Sequence, residues 1–580
     1  MNIEFFKGIS DYFWNLTKKD GSLICPKHRI GHTGKNIYSV IIDLYLYEST
    51  GEGKYFERAK SRVERTLVKL IKDPDYGHWM FYPGRLTRWN MSNSVIDSGA
   101  CTDVLSSFYL AYASDLRPDE REKIKETIFK NSDGYLNEAV IKKEITNQRL
   151  WGGTGLSRAY QIFHEEKWRQ NLLKSIEKSL EEMWTDGTFP YHPSWEKAGI
   201  FKGIYDTTTF YHSRCVAFIY YILENIGEDI GKYKEKLIKA TDLLVAMYQP
   251  NGIKNIDLEC KRWYWNSSYE IASAPFDVYT FLKSYELTGN VIYSYYAHKA
   301  FEQILKHQIK DGGIDSHLGQ PRNNFQCRVF WNSNLAWLVR AMEKFSFPQF
   351  EKEAEEFEYF KDSGILKFKN ENYCCILRAK KQPMSLMWGP AISGGSMLYF
   401  GTKKNNWENM LHLRPWEEGA SANFVFYTRE SYFKNLKQLI AENKKEIKEK
   451  FFHAFTELRA PNFRTFFVLL FRLFQMLISG GKAVYASHWS PCAVIHREGD
   501  KITFELSPAK RNGKELKGVK IKREYIFGSD KMEVKEGLSV GNSEIGKIKK
   551  IRHNKFPNCE NFESVSDIWN LKKRFTIEEA

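Results

Sequence analysis

Several short stretches of this 580-residue chain combine aromatic rings with amide, guanidinium and imidazole groups, a mixture that ordinary loops lack. One runs GHWMFYPGRLTRWNMSNSVIDSG and holds Trp89, Asn93 and Asp97; another, NQRLWGG, holds Asn147, Arg149 and Trp151. The longest, FPYHPSWEKAGIFKGIYDTTTFYHSR, carries His192, Tyr205, Asp206, Tyr211, His212 and Arg214. Two more supply Trp265, Asn266 and Glu270, then Arg322 and Trp331. Flat rings stack on sugar or base faces, and amides, guanidinium groups and imidazoles bond hydroxyls and carboxylates. Asp97, Asp206 and Glu270 stand where helices should begin. They can act as paired acids in glycoside hydrolysis, or simply stabilise helix N-termini. No phosphate-cradling glycine loop, dinucleotide fingerprint or His-x-x-Glu-His metal pattern is present, so neither cofactor nor metal is expected.

The elements that must position these residues repeat. A turn dipeptide recurs at Asp20-Gly21, Tyr76-Gly77, Asp133-Gly134, Asp186-Gly187, Asn251-Gly252 and Asp311-Gly312. Glycine there suits the left-handed conformation that ends a helix. Between the marks an apolar helix is followed by a charged one, about 33–50 and 54–72, 94–113 and 118–130, 152–164 and 167–184, 207–225 and 232–248, 268–287 and 293–310. A last apolar helix, 328–344, pairs with the N-terminal one, 2–18. Six pairs, with apolar helices inside and charged ones outside, predict a closed (α/α)6 toroid over residues 1–348, with an open solenoid as the alternative. The aromatic stretches then fall at one mouth of the ring.

From about residue 349 the texture changes to period-2 stretches such as GILKFKN, NYCCILRA, ANFVFYT and KMEVKEGLSV. They predict an antiparallel β-sandwich over 349–580, making the chain mainly α with a β domain. A helical insertion, 430–480, interrupts the strands and carries nine Lys/Arg against four Asp/Glu between Ser431 and Gly480. Its apolar stretch at 463–479 is too short to cross a bilayer. It either lies in a membrane interface or packs on protein.

A six-hairpin toroid followed by a β-sandwich resembles the carbohydrate-active toroid proteins, in particular polysaccharide lyases of the heparinase II/III and alginate lyase type. The resemblance is one of architecture over nearly the whole chain; the heparinase-like His-x-His of the sheet domain is missing. It implies an Asn, a His, a Tyr and an Arg at the mouth. On β-elimination from a uronic-acid glycan, Asn147 and Arg149, or Arg322, would neutralise the carboxylate; Tyr211 or His212 would take the proton and Tyr205 would protonate the leaving oxygen. Trp89, Asn93, Trp151, His192, Trp265, Asn266, Glu270, Arg322 and Trp331 would bind substrate. Asp97 and Asp206 are the alternative acids of a hydrolase. A non-catalytic glycan-binding or assembly factor held at the membrane is a further alternative.

The charge agrees with an acidic partner: 86 Lys and Arg against 71 Asp and Glu give +15. The basic residues form no nucleic-acid motif, so no specific nucleic-acid partner is expected. Nine scattered cysteines and the absence of a secretory signal predict a cytoplasmic protein, with peripheral membrane contact through 463–479.

Overall fold

A computed structural model describes residues 3–19, 21–25, 31, 33–72, 77–82, 94–198, 205–255, 270–315, 328–345, 355–382, 392–411, 423–458, 466–467, 470–471, 473–474, 477–478, 481–510, 512–554, 562–567 and 577–579. The chain is mainly α with a β domain and divides into two compact units. One comprises Met1–Pro193, Phe210–Thr241 and Ser268–Gln349, and the other Ser194–Thr209, Asp242–Ser267 and Phe350–Ala580.

The helices follow the predicted pairing. They are α1 (Ile3–Asn15), α2 (Thr33–Asn36), α3 (Ser39–Thr50), α4 (Gly53–Leu67), α5 (Ser94–Tyr112), α6 (Pro118–Lys130), α7 (Thr146–Phe163) and α8 (Glu166–Glu181). Then come α9 (Thr209–Asn225), α10 (Lys234–Met247), α11 (Glu270–Thr288), α12 (Val291–Lys306), α13 (Arg328–Ser333) and α14 (Leu335–Lys344). α5, α7 and α9 are buried nearly all round, whereas α4, α6 and α8 bury one face each. Inner and outer layers follow from that difference.

Each inner helix touches the next. The Tyr112 hydroxyl of α5 donates to Glu48 of α3 at 2.6 Å. Trp151 of α7 packs on Phe218 of α9 at 5.2 Å, and Phe218 on Phe276 of α11 at 5.7 Å. Phe276 packs on Trp337 of α14 at 5.2 Å, and α14 lies against α3, closing the ring. Behind it, Gln308 Nε2 donates to the Phe5 carbonyl at 2.8 Å and ties the end of α12 to α1.

The repeated turn is one backbone device used four times. Lys18 N donates to Ser22 O at 2.9 Å, Trp184 N to Thr188 O at 2.9 Å, Gln249 N to Ile253 O at 2.8 Å and Ile309 N to Gly313 O at 2.9 Å. The glycine three residues on, Gly21, Gly187, Gly252 or Gly312, takes a positive φ of 73–93° and donates back to the first residue's carbonyl. Gly134 differs: it lies in a π-helical turn, Asn131–Leu136, that runs straight into the next helix.

The third inner helix begins at Thr146, six residues before the predicted start, so Asn147, Arg149 and Trp151 are on a helix and not in a loop. The run Gly152-Gly153-x-Gly155 reads as a breaker, but these glycines are where α7 is pressed by its neighbours. A Cβ on Gly155 would lie 2.5 Å from the Gly99 carbonyl of α5, and one on Gly153 2.7 Å from Ile222 Cδ1 of α9. Close packing, not a turn, accounts for them. The last inner helix is broken at Asn334, giving α13 and α14.

The second unit holds three sheets. β1 (Glu356–Phe360), β2 (Ile365–Lys369), β3 (Tyr373–Arg378) and β4 (Ser396–Thr402) form an antiparallel meander. β5 (Asn423–Thr428) pairs with β6 (Val484–Ala486), and β7 (Val494–Glu498), β8 (Lys501–Leu506), β9 (Val519–Phe527) and β10 (Met532–Val540) are antiparallel neighbours. β11 (Ile548–Asn554) borders β5. The sheets are antiparallel as expected, with two parallel additions at their edges: β12 (Phe562–Asp567) runs parallel to β10, and β13 (Ile577–Glu579) parallel to β11. One core, including Tyr373, Phe400, Phe424, Phe504, Tyr525 and Ile551, draws on all three sheets. The insertion contains α15 (Tyr432–Glu442) and α16 (Lys444–Leu458), followed by helical residues between 466 and 478, and joins the adjacent strands β5 and β6.

Candidate functional site

The first turns of the inner helices bring together a buried cluster in the first unit. Lys35 of α2 is 4 % exposed, and its Nζ lies 3.2 Å from the Trp151 ring centroid and 4.7 Å from that of Phe330 in α13. That nitrogen has no hydrogen-bond acceptor. Arg214 of α9 is fully buried, its guanidinium carbon 5.2 Å from the Trp151 ring and 3.6 Å from the Phe210 ring one turn earlier. Phe210 meets Trp331 edge-on at 5.4 Å and Tyr211 at 5.3 Å, and Tyr211 packs on Tyr191 at 4.3 Å. Two cations thus sit among aromatic faces contributed by three inner helices.

Asp97, in the first turn of α5, completes the cluster. Its Oδ1 accepts the Gly34 N–H at 2.8 Å, and a Cβ on Gly34 would fall 2.5 Å from Asp97 Cα, so only glycine lets α2 approach α5 this closely. Burial raises the Asp97 carboxyl to about 6, against the opposing pull of Lys35 and the Gly34 N–H. Burial likewise pushes the Lys35 ammonium well below the usual lysine value, and repulsion from Arg214 adds to it, with Asp97 opposing. An amine whose charged form is disfavoured by burial gives up and takes a proton more readily than an exposed lysine, and a guanidinium held on aromatic faces is a ready partner for a carboxylate.

Asn147 stands one helical turn before Trp151, on the same face of α7. It is 1 % exposed, and neither its carboxamide oxygen nor its nitrogen has a hydrogen-bond partner. A buried amide with nothing to bond is costly, and a bound ligand would relieve that cost. Gln148 donates to the Tyr191 hydroxyl at 3.2 Å, and His192 Nε2 lies 3.9 Å from Glu144.

Other sequence candidates are placed elsewhere. Arg149 turns to the outer layer, donating to Glu182 at 2.5 Å, Ser179 at 2.9 Å and the Lys143 carbonyl at 3.0 Å. It ties α7 to α8. His212 is fully buried, with Nε2–H donating to the Ala240 carbonyl at 2.9 Å and Nδ1 accepting the Phe189 N–H at 3.1 Å. A carbonyl only accepts and an amide N–H only donates, so these bonds fix a neutral ring with both nitrogens engaged. Tyr205 and Asp206 belong to the second unit, where Asp206 is buried and accepts from Arg378 Nη2 at 2.9 Å and from the Gln382 N–H at 3.3 Å. Glu270 opens α11. Trp89, Asn93, Trp265, Asn266 and Arg322 lie outside the described residues.

Lys35 was not a sequence candidate. One lysine in a lysine-rich chain has no local signature. Its signal is positional: it lies just ahead of the first inner helix, as Asp97 and Phe330 lie in the first turns of theirs. Among the described residues no group of three or more His, Cys, Asp or Glu side chains is spaced to hold a metal.

No family model matches the chain, and no curated protein matches it. Among solved structures it is similar to a sugar epimerase from a ruminal bacterium (12% identity, TM-score 0.42, 60% of this chain and 100% of that one). It is similar too to a glycosyl hydrolase of family 88 from Bacteroides vulgatus (13%, 0.43, 59% and 99%). A polysaccharide lyase gives comparable values (14%, 0.42, 59% and 98%).

Proposed function

We propose that the protein processes an acidic glycan at the end of the ring where the inner helices begin, by β-elimination beside a uronate carboxylate. The observation that carries this reading is the buried pair Lys35 and Arg214 on the faces of Trp151, Phe330 and Phe210. In this reading the sugar stacks on an aromatic face while Arg214 and the unpartnered amide of Asn147 bind and neutralise its carboxylate. Neutralisation acidifies the adjacent C5–H. The Lys35 amine takes that proton, the C5–H electron pair becomes the C4–C5 double bond, and the C4–O bond breaks. The Tyr211 hydroxyl gives its proton to the departing oxygen.

Ultraviolet absorbance of the conjugated unsaturated uronate, followed with a panel of uronic-acid polymers, tests this. The native protein should raise it, and Lys35→Met and Arg214→Gln should abolish the rise while leaving the melting transition in place. New reducing ends without absorbance would overturn elimination in favour of hydrolysis through a carboxylate such as Asp97. Binding with neither signal would favour a glycan-binding factor.

We propose further that the insertion rests on an anionic lipid surface. Half of the exposed large apolar side chains among the described residues lie between Phe433 and Ile478. Phe467, Phe471, Phe474 and Ile478 recur at helical spacing as one outward stripe, while Phe466 and Leu473 are buried. Phe433, Phe451, Phe452 and Phe455 extend the apolar patch, and the exposed lysines 434, 437, 444, 445 and 448 border it. Charge complementarity selects anionic lipid as the occupant. No helix among the described residues is long and apolar enough to cross a membrane. The protein should float with phosphatidylserine-containing vesicles, less with pure phosphatidylcholine, and not after Phe467→Ser, Phe471→Ser and Phe474→Ser together. Self-association abolished by the same triple change, with no flotation, would overturn lipid in favour of a second copy.

A further inference from the structure

Beside α2, but lined by neither Lys35 nor its aromatic partners, a cavity of about 270 Å³ opens between the turn after α1, the residues leading into α2, and α4. Its wall is strongly one-signed. Lys18, Arg62, Arg65 and Lys69 line it, and no Asp or Glu is among its described lining residues. Thr33, Thr66 and Tyr82 add hydroxyl groups to the wall, and Leu23 and Ile24 add apolar surface.

Arg62 is the decisive residue. It is 4 % exposed, and its Nε and Nη1 have no hydrogen-bond partner; only Nη2 is used, donating to Thr17 Oγ1 at 3.3 Å. The carboxyl that attracts it, Asp43, accepts the Ser10 hydroxyl at 2.5 Å instead and is raised by burial to about 6. A buried guanidinium with two unused N–H groups is expensive unless something negative meets it. Asn36 is committed elsewhere, its nitrogen donating to the Leu23 carbonyl at 2.6 Å, so unused donors at the site come from Arg62. A water occupies about 30 Å³ of liquid, so the cavity has room for a tetrahedral oxyanion or for one sugar ring bearing an acid group.

We propose that this cavity is an oxyanion-binding site: Arg62 grips a carboxylate, sulfate or phosphate group from below, and Lys18 and Lys69 close over it from the rim. The ligand is a free inorganic oxyanion or the acid group of a sugar unit. The proposal does not depend on the chemistry at Lys35, because it predicts binding without turnover.

Titration calorimetry of the full chain at low ionic strength tests it, with sulfate, inorganic phosphate, glucuronate and, as the uncharged control, glucose. Saturable binding of at least one anion and none of glucose is expected. Lys18→Gln with Lys69→Gln should weaken it about tenfold. Arg62→Gln should abolish it; if that variant fails to fold, the rim double variant alone decides. Tighter binding of glucuronate than of sulfate identifies a sugar acid, and the reverse identifies a free inorganic oxyanion; both support the site. Absence of binding by every anion, or binding unchanged in the rim variant, overturns it. Loss of elimination activity in a Lys35 variant that still binds the anion would leave the proposal standing.

Discussion

Lys35 is buried without a hydrogen-bond acceptor, and the cost of charging it there depends on pH. Its pKa in the folded chain lies below the usual 10.5 that the unfolded chain retains. Between those values the unfolded state holds more protons, so stability rises with pH through that window. Thermal melts of the native protein should therefore climb as the pH rises towards 10.5, and Lys35→Met should raise the melting temperature below that pH and flatten the climb. Arg149 predicts the opposite kind of outcome. Its removal strands a mostly buried Glu182, and Arg149→Ala should cost about 3 kcal/mol in urea denaturation. If Arg149→Ala instead left stability unchanged but removed activity, its assignment to the α7–α8 contact would be wrong. Residue types such as Asn147, Trp151 and Arg214 are readable in the sequence because aromatic and amide groups are rare together in loops. The engagement of Arg149 is not readable, because it depends on which way a helix faces, and a six-residue error in the start of α7 hid that; His212, one turn inside its helix, could be read either as a base or as a satisfied core histidine.

At the scale of elements, α5 and α7 touch backbone to backbone. Gly155→Ala would place a methyl against the Gly99 carbonyl and should destabilise by about 2–3 kcal/mol. Gly153→Ala meets only the flexible end of Ile222 and should cost about 1 kcal/mol, the two being compared by chemical denaturation. The hairpin count, the inner and outer character of the helices and most strands were legible because burial imposes periods of 3.6 and 2 on the sequence. The parallel edges β12 and β13 were not, since strand direction leaves no mark in a short period-2 run. The insertion joins strands that already pair, Val425 with Ala486 and Tyr427 with Val484. Replacing it with a short turn should preserve the far-ultraviolet circular dichroism of the sheets while eliminating vesicle flotation.

For the whole molecule, the +15 charge would attract the acidic polymer proposed above, over a range set by salt. Affinity for such a polymer, measured by titration at rising salt, should fall steadily as the Debye length shrinks from ~30 Å at 0.01 M to ~8 Å at 0.15 M. A neutral polymer of the same length should show no such slope.

The middle of the ring is solid. Trp337 packs against Phe218 at 5.1 Å and Tyr221 at 5.2 Å, and beside them Arg340 pairs with Asp103 at 2.8 Å, all buried. A plug of this kind closes the centre of the ring to a passing chain. If a polymer is processed at the Lys35 end, as proposed, it cannot be threaded through and released on the far side. Turnover on a polymer should therefore be distributive, one encounter for each bond, with intermediate lengths accumulating from the first minutes of a digest.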